Sequence, residues 1–376
     1  MSLTKNYHIK GLLVIIVLLI AGFTDVDPDW PQTDFWKMEG TRITHLFEDK
    51  ADSLSAPEFF ELQDENGLPI WFGRHFFKDV CMTGKCKMIR LSLFWDGAGN
   101  YLGMNIPKGE PLTKSDHTEF VAADYEKLDI ILRDTSSILK DLKSEELIIV
   151  PDSIDPYKAY EVDGYTGATQ PALAEVVVKD AVYTCHTLWH TVYGPTQKGI
   201  HEILERRVSE EYLSLMFKSK NPNYSLWAIQ SIEKFPEYHE NFYPQIINCI
   251  KSENTELANK ALSYFGPPIL ADTIIQNQLV QIIPDVDMNF RYEILWKLIG
   301  VKKVDGLVVF RLLKMFESKT LGVGTLNLIY RLISTDHLIE NQEIVQIVNG
   351  LSEHENAYIR NLTGKLLKEK GKPVAE

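Results

Sequence analysis

Three short runs decide the fold of the first half of the chain: Ile70-Trp71-Phe72-Gly73-Arg74-His75-Phe76-Phe77, Met88-Ile89-Arg90-Leu91-Ser92-Leu93-Phe94-Trp95 and Tyr101-Leu102-Gly103-Met104-Asn105. Each is rich in aromatic and aliphatic residues and has the length of a strand. Asp96-Gly97-Ala98-Gly99-Asn100 separates the last two, and its glycines supply the positive φ that a tight hairpin connection needs. The three runs are therefore read as strands, the last two as a hairpin.

Downstream, residues 120–132 place Tyr125, Leu128, Ile131 and Leu132 at helical spacing, and a short apolar segment follows at 147–150. Pro171 stands at a helix start, with helical stretches expected over 172–178 and 181–193. Strands and helices alternate irregularly, so residues 70–204 are read as an α+β domain. Upstream, 25–69 is acidic and aromatic, with Trp30, Phe35 and Trp36 but little periodicity, and is read as a linker or N-terminal extension.

From 205 to 376 the pattern is that of paired amphipathic helices separated by short polar turns. First helices are expected at 210–218, 243–251, 271–283, 304–317 and 341–351, and second helices at 223–235, 254–265, 288–299, 319–333 and 356–367. The second helices start every 31 to 37 residues, the order of spacing of helical hairpin repeats. This resembles degenerate HEAT-like repeats, which bury their apolar faces only by stacking into an all-α solenoid. Trp227, Trp296 and Tyr330 lie at helical spacing and are read as core.

Residues 1–24 carry Lys5 and Lys10 ahead of an apolar run over 11–23 that ends where Asp25, Asp27 and Asp29 begin. This is the pattern of a secretory signal peptide or a signal anchor. The apolar run is short against the roughly 20 residues of a spanning helix, and both cleavage and retention in the membrane stay open. Either outcome places the rest of the chain outside the cytoplasm, in the periplasm or facing it. A net charge of -13 with no compensating basic cluster argues against nucleic acid as a partner.

Four cysteines in an exported chain allow disulfides. Cys81 and Cys86, separated by Met82-Thr83-Gly84-Lys85, are read as a structural pair closing a small loop, and Cys185 and Cys249 as apolar thiols.

The segment Asp163-Gly164-Tyr165-Thr166-Gly167-Ala168-Thr169 resembles the flavinylation motif of FMN-binding domains, a family that includes the C subunit of the sodium-pumping NADH:quinone oxidoreductase and the G subunit of the Rnf complex. The family pattern is Asp, two variable positions, Ser or Thr, Gly, Ala and Thr, and every defined position matches. The resemblance implies that Thr169 carries FMN through a phosphoester installed by an FAD:protein FMN transferase. It also implies that Asp163, Thr166, Gly167 and Ala168 serve the transferase or the phosphate. Read from the residues alone, Gly164 and Gly167 let the main chain approach a bulky ligand, and a phosphate on Thr169 would face the start of the helix beginning at Pro171. The alternative is a Gly- and Thr-rich turn that merely caps a helix.

Asp116-His117-Thr118-Glu119 is similar to a His-x-Glu element of the same family near the flavin, although the following Gly is replaced by Phe120-Val121-Ala122. The resemblance suggests His117 and Glu119 as flavin neighbours, and Asp116 is read as a helix N-cap. His186 and His190 share one helical face but lack the further ligands of a zinc motif, so they are read as packing, hydrogen-bonding or flavin-contact residues.

The expectation that results is an exported flavoprotein passing electrons between redox protein partners, with the helical repeats as docking domain. The alternative is an exported interaction protein whose FMN-like domain no longer binds flavin. No nucleophile–base pair, dinucleotide glycine fingerprint or metal set points to catalytic residues or to a self-contained enzyme.

Overall fold

The structure, a computed structural model, describes residues 34–47, 52, 54–80, 87–149, 168–169 and 171–370. Cys81 and Cys86, the leader at 1–24, and Asp163, Gly164, Thr166 and Gly167 of the motif lie outside the described residues. The chain divides into two compact units, with the boundary between Val208 and Ser209.

The first unit is built on a five-stranded antiparallel sheet in sequential order, β1 (Thr41–Leu46), β2 (Glu58–Gln63), β3 (Pro69–Lys78), β4 (Ile89–Asp96) and β5 (Tyr101–Asn105). The last three coincide with the three quoted runs. The β4–β5 turn closes by Asp96 N–H donating to Asn100 O, with Gly99 at φ 86° and the Asp96 carboxylate accepting from Ala98 and Asn100 N–H. Strands β1 and β2 correct the reading of 25–69 as a linker, because six-residue registers join Thr41 to Gln63 and Leu46 to Glu58 within the sheet.

Alternation along the strands sorts their side chains onto two faces. Trp71, Gly73 and His75 share one face, with Phe60 and Leu62 of β2 and Phe94 of β4 beside them. Phe35 and Trp36, in a single 3-10 turn, cover this face: Phe35 lies 4.6 Å from Phe94, and Trp36 stacks on His75 at 4.6 Å and meets Trp71 edge-on at 5.3 Å. Burial of such aromatics contributes about 1.5–3 kcal/mol each. Gly73 makes room for them, since a Cβ there would meet the Phe94 ring at 2.8 Å. Gly73→Val is therefore expected to cost about 1–3 kcal/mol through overpacking, seen as a lower urea midpoint by circular dichroism.

The opposite face carries Phe72, Arg74 and Phe76 of β3 with Leu91, Leu93 and Trp95 of β4. Over it lie α1 (Ala122–Arg133), α3 (Val182–Val192) and α4 (Pro195–Arg206); a one-turn helix α2 (Pro171–Ala174) precedes α3. Trp95 Nε1 donates to Val192 O at 3.0 Å, and Arg74 Nη1 donates to Thr196 Oγ1 at 2.8 Å, tying sheet to helices. A second, two-stranded sheet pairs β6 (Ile148–Ile149) with β7 (Ala168–Thr169). The helix expected over 172–178 is thus only one turn long; the chain after it buries Val177 and Val178 and reaches α3 through Asp180, at φ 60°.

The buried Glu61 carboxylate on the helix-covered face is engaged on both oxygens. Glu61 accepts from both terminal nitrogens of Arg207, at 2.6 and 2.8 Å, from His45 Nε2 at 2.7 Å and from Gln63 Nε2 at 2.7 Å. Burial pushes its carboxyl up, but the hydrogen bonds from Arg207 and His45 outweigh burial and bring it to about 2.

The second unit is all helical: α5 (Glu210–Lys218), α6 (Pro222–Lys234), α7 (His239–Cys249), α8 (Thr255–Tyr264), α9 (Thr273–Gln281), α10 (Met288–Ile299), α11 (Gly306–Glu317), α12 (Leu326–Leu332), α13 (Thr335–Glu340), α14 (Gln342–Ser352) and α15 (Ala357–Lys370). Several starts carry the side-chain caps that end-of-helix N–H groups require: Ser209, Asn221, Asn254, Asp272, Asp305 and Asn341 each accept from a first-turn N–H. Partners pack as α5 on α6, α7 on α8, α9 on α10, α11 on α12 and α14 on α15. Between pairs, α7, α9, α11 and α14 touch in succession, as do α6 with α8, α10 with α12 and α12 with α15.

Two differences from the sequence reading have local causes. Residues 319–325 do not extend α12: Lys319 adopts φ 64° and a 3-10 turn, Val323–Thr325, precedes the helix. Trp296 is not core like Trp227 and Tyr330. It is 51% exposed and lies under the Arg331 guanidinium, 4.9 Å from its ring centre.

Candidate functional site

Thr169 stands at the end of β7, paired with Ile148, and its side chain is half-buried. The other described threonines of this unit range from buried, as Thr184, Thr191 and Thr196 are, through half-buried, as Thr113 and Thr187 are, to exposed, as Thr41, Thr44 and Thr118 are. Pro171 begins the next turn, as its missing N–H and preset φ favour. Leu173 anchors that turn in the core, and Val178 N–H donates to Cys185 Sγ at 3.4 Å, fastening the following loop to α3.

His117 and Glu119 are exposed on a hairpin tip. Lys114 N–H donates to Thr118 O, Thr113 bridges Glu119, and His117 takes φ 65°. Asp116 is not a helix N-cap. Its carboxylate accepts from Thr118 N–H at 3.0 Å and Thr118 Oγ1 at 2.6 Å, closing an Asx turn, while α1 begins only at Ala122, where Asp124 accepts from Val121 N–H. Ser115 N–H and Oγ both donate to Asp180 O, which holds this hairpin against the loop before α3.

A cavity of about 260 Å³ opens between α3 and the end of β3. His186, Thr187, His190 and Thr191 line it from α3, and Phe76, Lys78 and Asp52 from the sheet side. Ser144 and Thr196 add hydroxyls. His186 Nε2 donates to Leu142 O and His190 Nε2 to Leu139 O, each at 2.9 Å. A carbonyl only accepts, so Nε2 carries a proton and donates in both rings. Burial holds His186 below its ordinary value, and the neighbouring His190 ring acts in the same direction.

Lys78 Nζ lies 2.8 Å from Asp52 Oδ2, and Arg74 Nη2 lies 3.8 Å from the same oxygen. Two cations thus face one carboxylate. Among the described residues no group of three or more His, Cys, Asp or Glu side chains is placed to hold a metal ion. Burial pushes the Cys185 thiol up to about 12, so it is a packed apolar thiol rather than a nucleophile.

Of the cavity residues, sequence reading singled out only the two histidines, from their i, i+4 spacing. Asp52, Lys78, Ser144 and Thr196 are scattered over the chain and carry no shared pattern.

Fold and site together define a two-unit protein, an α+β unit with a cavity-bearing helix layer and an all-helical unit after it. No family model, curated protein or solved structure matches the chain.

Proposed function

We infer that the protein is an exported flavoprotein that carries FMN covalently on Thr169 and relays electrons between protein partners. The observation that carries this reading is the complete Asp163-to-Thr169 motif, ending in a threonine whose side chain is half-buried rather than enclosed. In the attachment step the Thr169 hydroxyl attacks the FMN phosphorus of FAD. The new O–P bond forms as the pyrophosphate bridge breaks, AMP leaves, and the hydroxyl proton passes to a base of the transferase. Bound FMN would supply reversible electron uptake with accompanying protons. The chain's own residues hold the attachment point, shape access and set the local charge.

The second unit is read as a HEAT-like array. Successive helix pairs stack first helix on first and, in part, second on second, which is the arrangement a helical-repeat solenoid requires. Exposed Met288, Trp296 and Val323 on and beside α10 favour a docking role for this unit. Among the described residues no helix is long and apolar enough to cross a membrane. Export, with or without membrane anchoring, rests on the leader at 1–24.

Co-expression with an FAD:protein FMN transferase tests the reading. Denatured wild type is expected to give a flavin-fluorescent band, and Thr169→Val none. A dark wild-type band beside a labelled control substrate overturns the carrier function and leaves an exported interaction protein.

A further inference from the structure

We propose that strand β1 is a pairing edge whose partner is β1 of a second copy of this chain, the two strands running antiparallel and joining the two sheets edge to edge. β1 and Thr169 belong to different sheets, so the pairing stands whether or not Thr169 carries flavin.

The backbone comes first. β1 ends the five-stranded sheet, and among the described residues no strand pairs on its outer side. Phe47 N–H donates to Pro57 O at 2.7 Å, continuing the register in which Leu46 faces Glu58. Hydrogen-bonded pairs alternate in an antiparallel ladder, so Thr41, Ile43 and His45 turn N–H and C=O toward β2, and Arg42, Thr44 and Leu46 turn theirs outward. The opposite edge is covered: α1 packs on β5, and Arg133 Nη2 donates to Leu102 O at 2.9 Å.

Exposed edges are blunted by proline, by bulges or by charges set across them. β1 has no proline, and its register with β2 is unbroken. Arg42 is turned onto Trp36, donating to Trp36 O with its guanidinium 5.9 Å from the ring centre. Leu46 is 81% exposed. Such an edge is a template for an added strand.

The side chains select a second copy as that strand. A two-fold axis at Thr44 sets the two Thr44 residues opposite each other, a favourable cross-strand pair, and sets Arg42 of each copy opposite Leu46 of the other. All three outward-facing residues are then paired. The two Arg42 residues lie four positions apart along the edge, about 14 Å, beyond the screening length of about 8–10 Å at physiological salt. Glu58 stands beside Leu46 on the same face, so Arg42 of one copy comes within two strand spacings, about 10 Å between backbones, of Glu58 of the other. The stem of Arg42 covers the exposed Leu46 on the way. Centring the axis on Arg42 would set the two guanidinium groups opposite each other, and centring it on Leu46 would leave Arg42 and Thr44 unpaired.

The test uses the purified full chain. In sedimentation velocity, wild type is expected to shift from monomer to dimer as concentration rises. Thr44→Pro removes an N–H that points away from β2, where an edge strand tolerates proline, and is expected to keep the circular dichroism of wild type and lose the dimer. Leu46→Lys, at an exposed position of the edge, gives the same readout should Thr44→Pro unfold. Under mild oxidation Thr44→Cys is expected to form a reducible cross-linked dimer that wild type does not, because hydrogen-bonded partner Cα atoms lie about 5.5 Å apart, within disulfide reach. Arg42→Cys, about 14 Å from its counterpart, is expected to give no cross-link. A wild type that stays monomeric across a hundredfold range of concentration, or a dimer that survives both Thr44→Pro and Leu46→Lys, overturns the proposal. Cross-linking through Arg42→Cys in place of Thr44→Cys overturns the register on which it rests.

Discussion

Trp95→Ala is expected to remove about 3–5 kcal/mol of stability from the sheet unit, the range for emptying a buried tryptophan site. Trp95 is fully buried on the helix-covered face, paired across from Phe72 and edge-on to Phe76 at 6.4 Å. Its Nε1 also satisfies Val192 O, one of the last carbonyls of α3, which have no partner within the helix. Truncation thus opens a cavity and orphans a helix-end acceptor together. Folded domains hold only about 5–15 kcal/mol in all, so the loss is a large fraction of the total. Urea denaturation followed by far-UV circular dichroism reads it. Trp95→Phe, which keeps most of the volume and loses the hydrogen bond, should fall between variant and wild type.

Arg207→Ala is expected to cost a similar amount, about 3–5 kcal/mol, because it leaves the buried Glu61 carboxylate without its bidentate partner. The same pair sets a pH dependence. Glu61 titrates near 2 in the folded protein against an ordinary 4.5. At pH between these values the unfolded chain binds more protons than the folded one, so stability rises with pH across that window. The contribution is fully present above 4.5, is lost as pH falls toward 2, and amounts to roughly 3 kcal/mol. Denaturation midpoints measured from pH 6 down to the acid transition should show this slope in wild type and a flatter one in Glu61→Gln. An unchanged slope in Glu61→Gln would assign the acid sensitivity to other carboxylates.

Strands β3 to β5 were legible because their apolar runs are bounded by turn residues, and most paired helices of the second unit because apolar residues recur at helical spacing between capping residues. Strand β1 was not. Thr41-Arg42-Ile43-Thr44-His45-Leu46 is an edge strand, exposed or half-exposed throughout, so its composition is that of a surface segment. Phe35 and Trp36 looked like linker aromatics because what makes them core is the sheet face they cover, built from residues far along the chain. Helix α4 did carry a local signal, Gly194 followed by Pro195 at the first helical position. The Arg207–Glu61 pair had none, since nothing local relates residues 146 apart.

Of the candidate site, the proposed attachment residue was legible as a motif and the two histidines as a helical face. The cavity beside them was not, because Asp52, Lys78 and Ser144 meet α3 only through the tertiary fold.

The most direct test of the central claim is tandem mass spectrometry of the tryptic peptide bounded by Lys158 and Lys179, from the chain co-expressed with an FAD:protein FMN transferase. This peptide contains both Thr166 and Thr169. The account predicts a mass increment of FMN less one water, with fragment ions locating it on Thr169. An unmodified peptide, with a control substrate labelled in parallel, or an increment carried by Thr166, would contradict it.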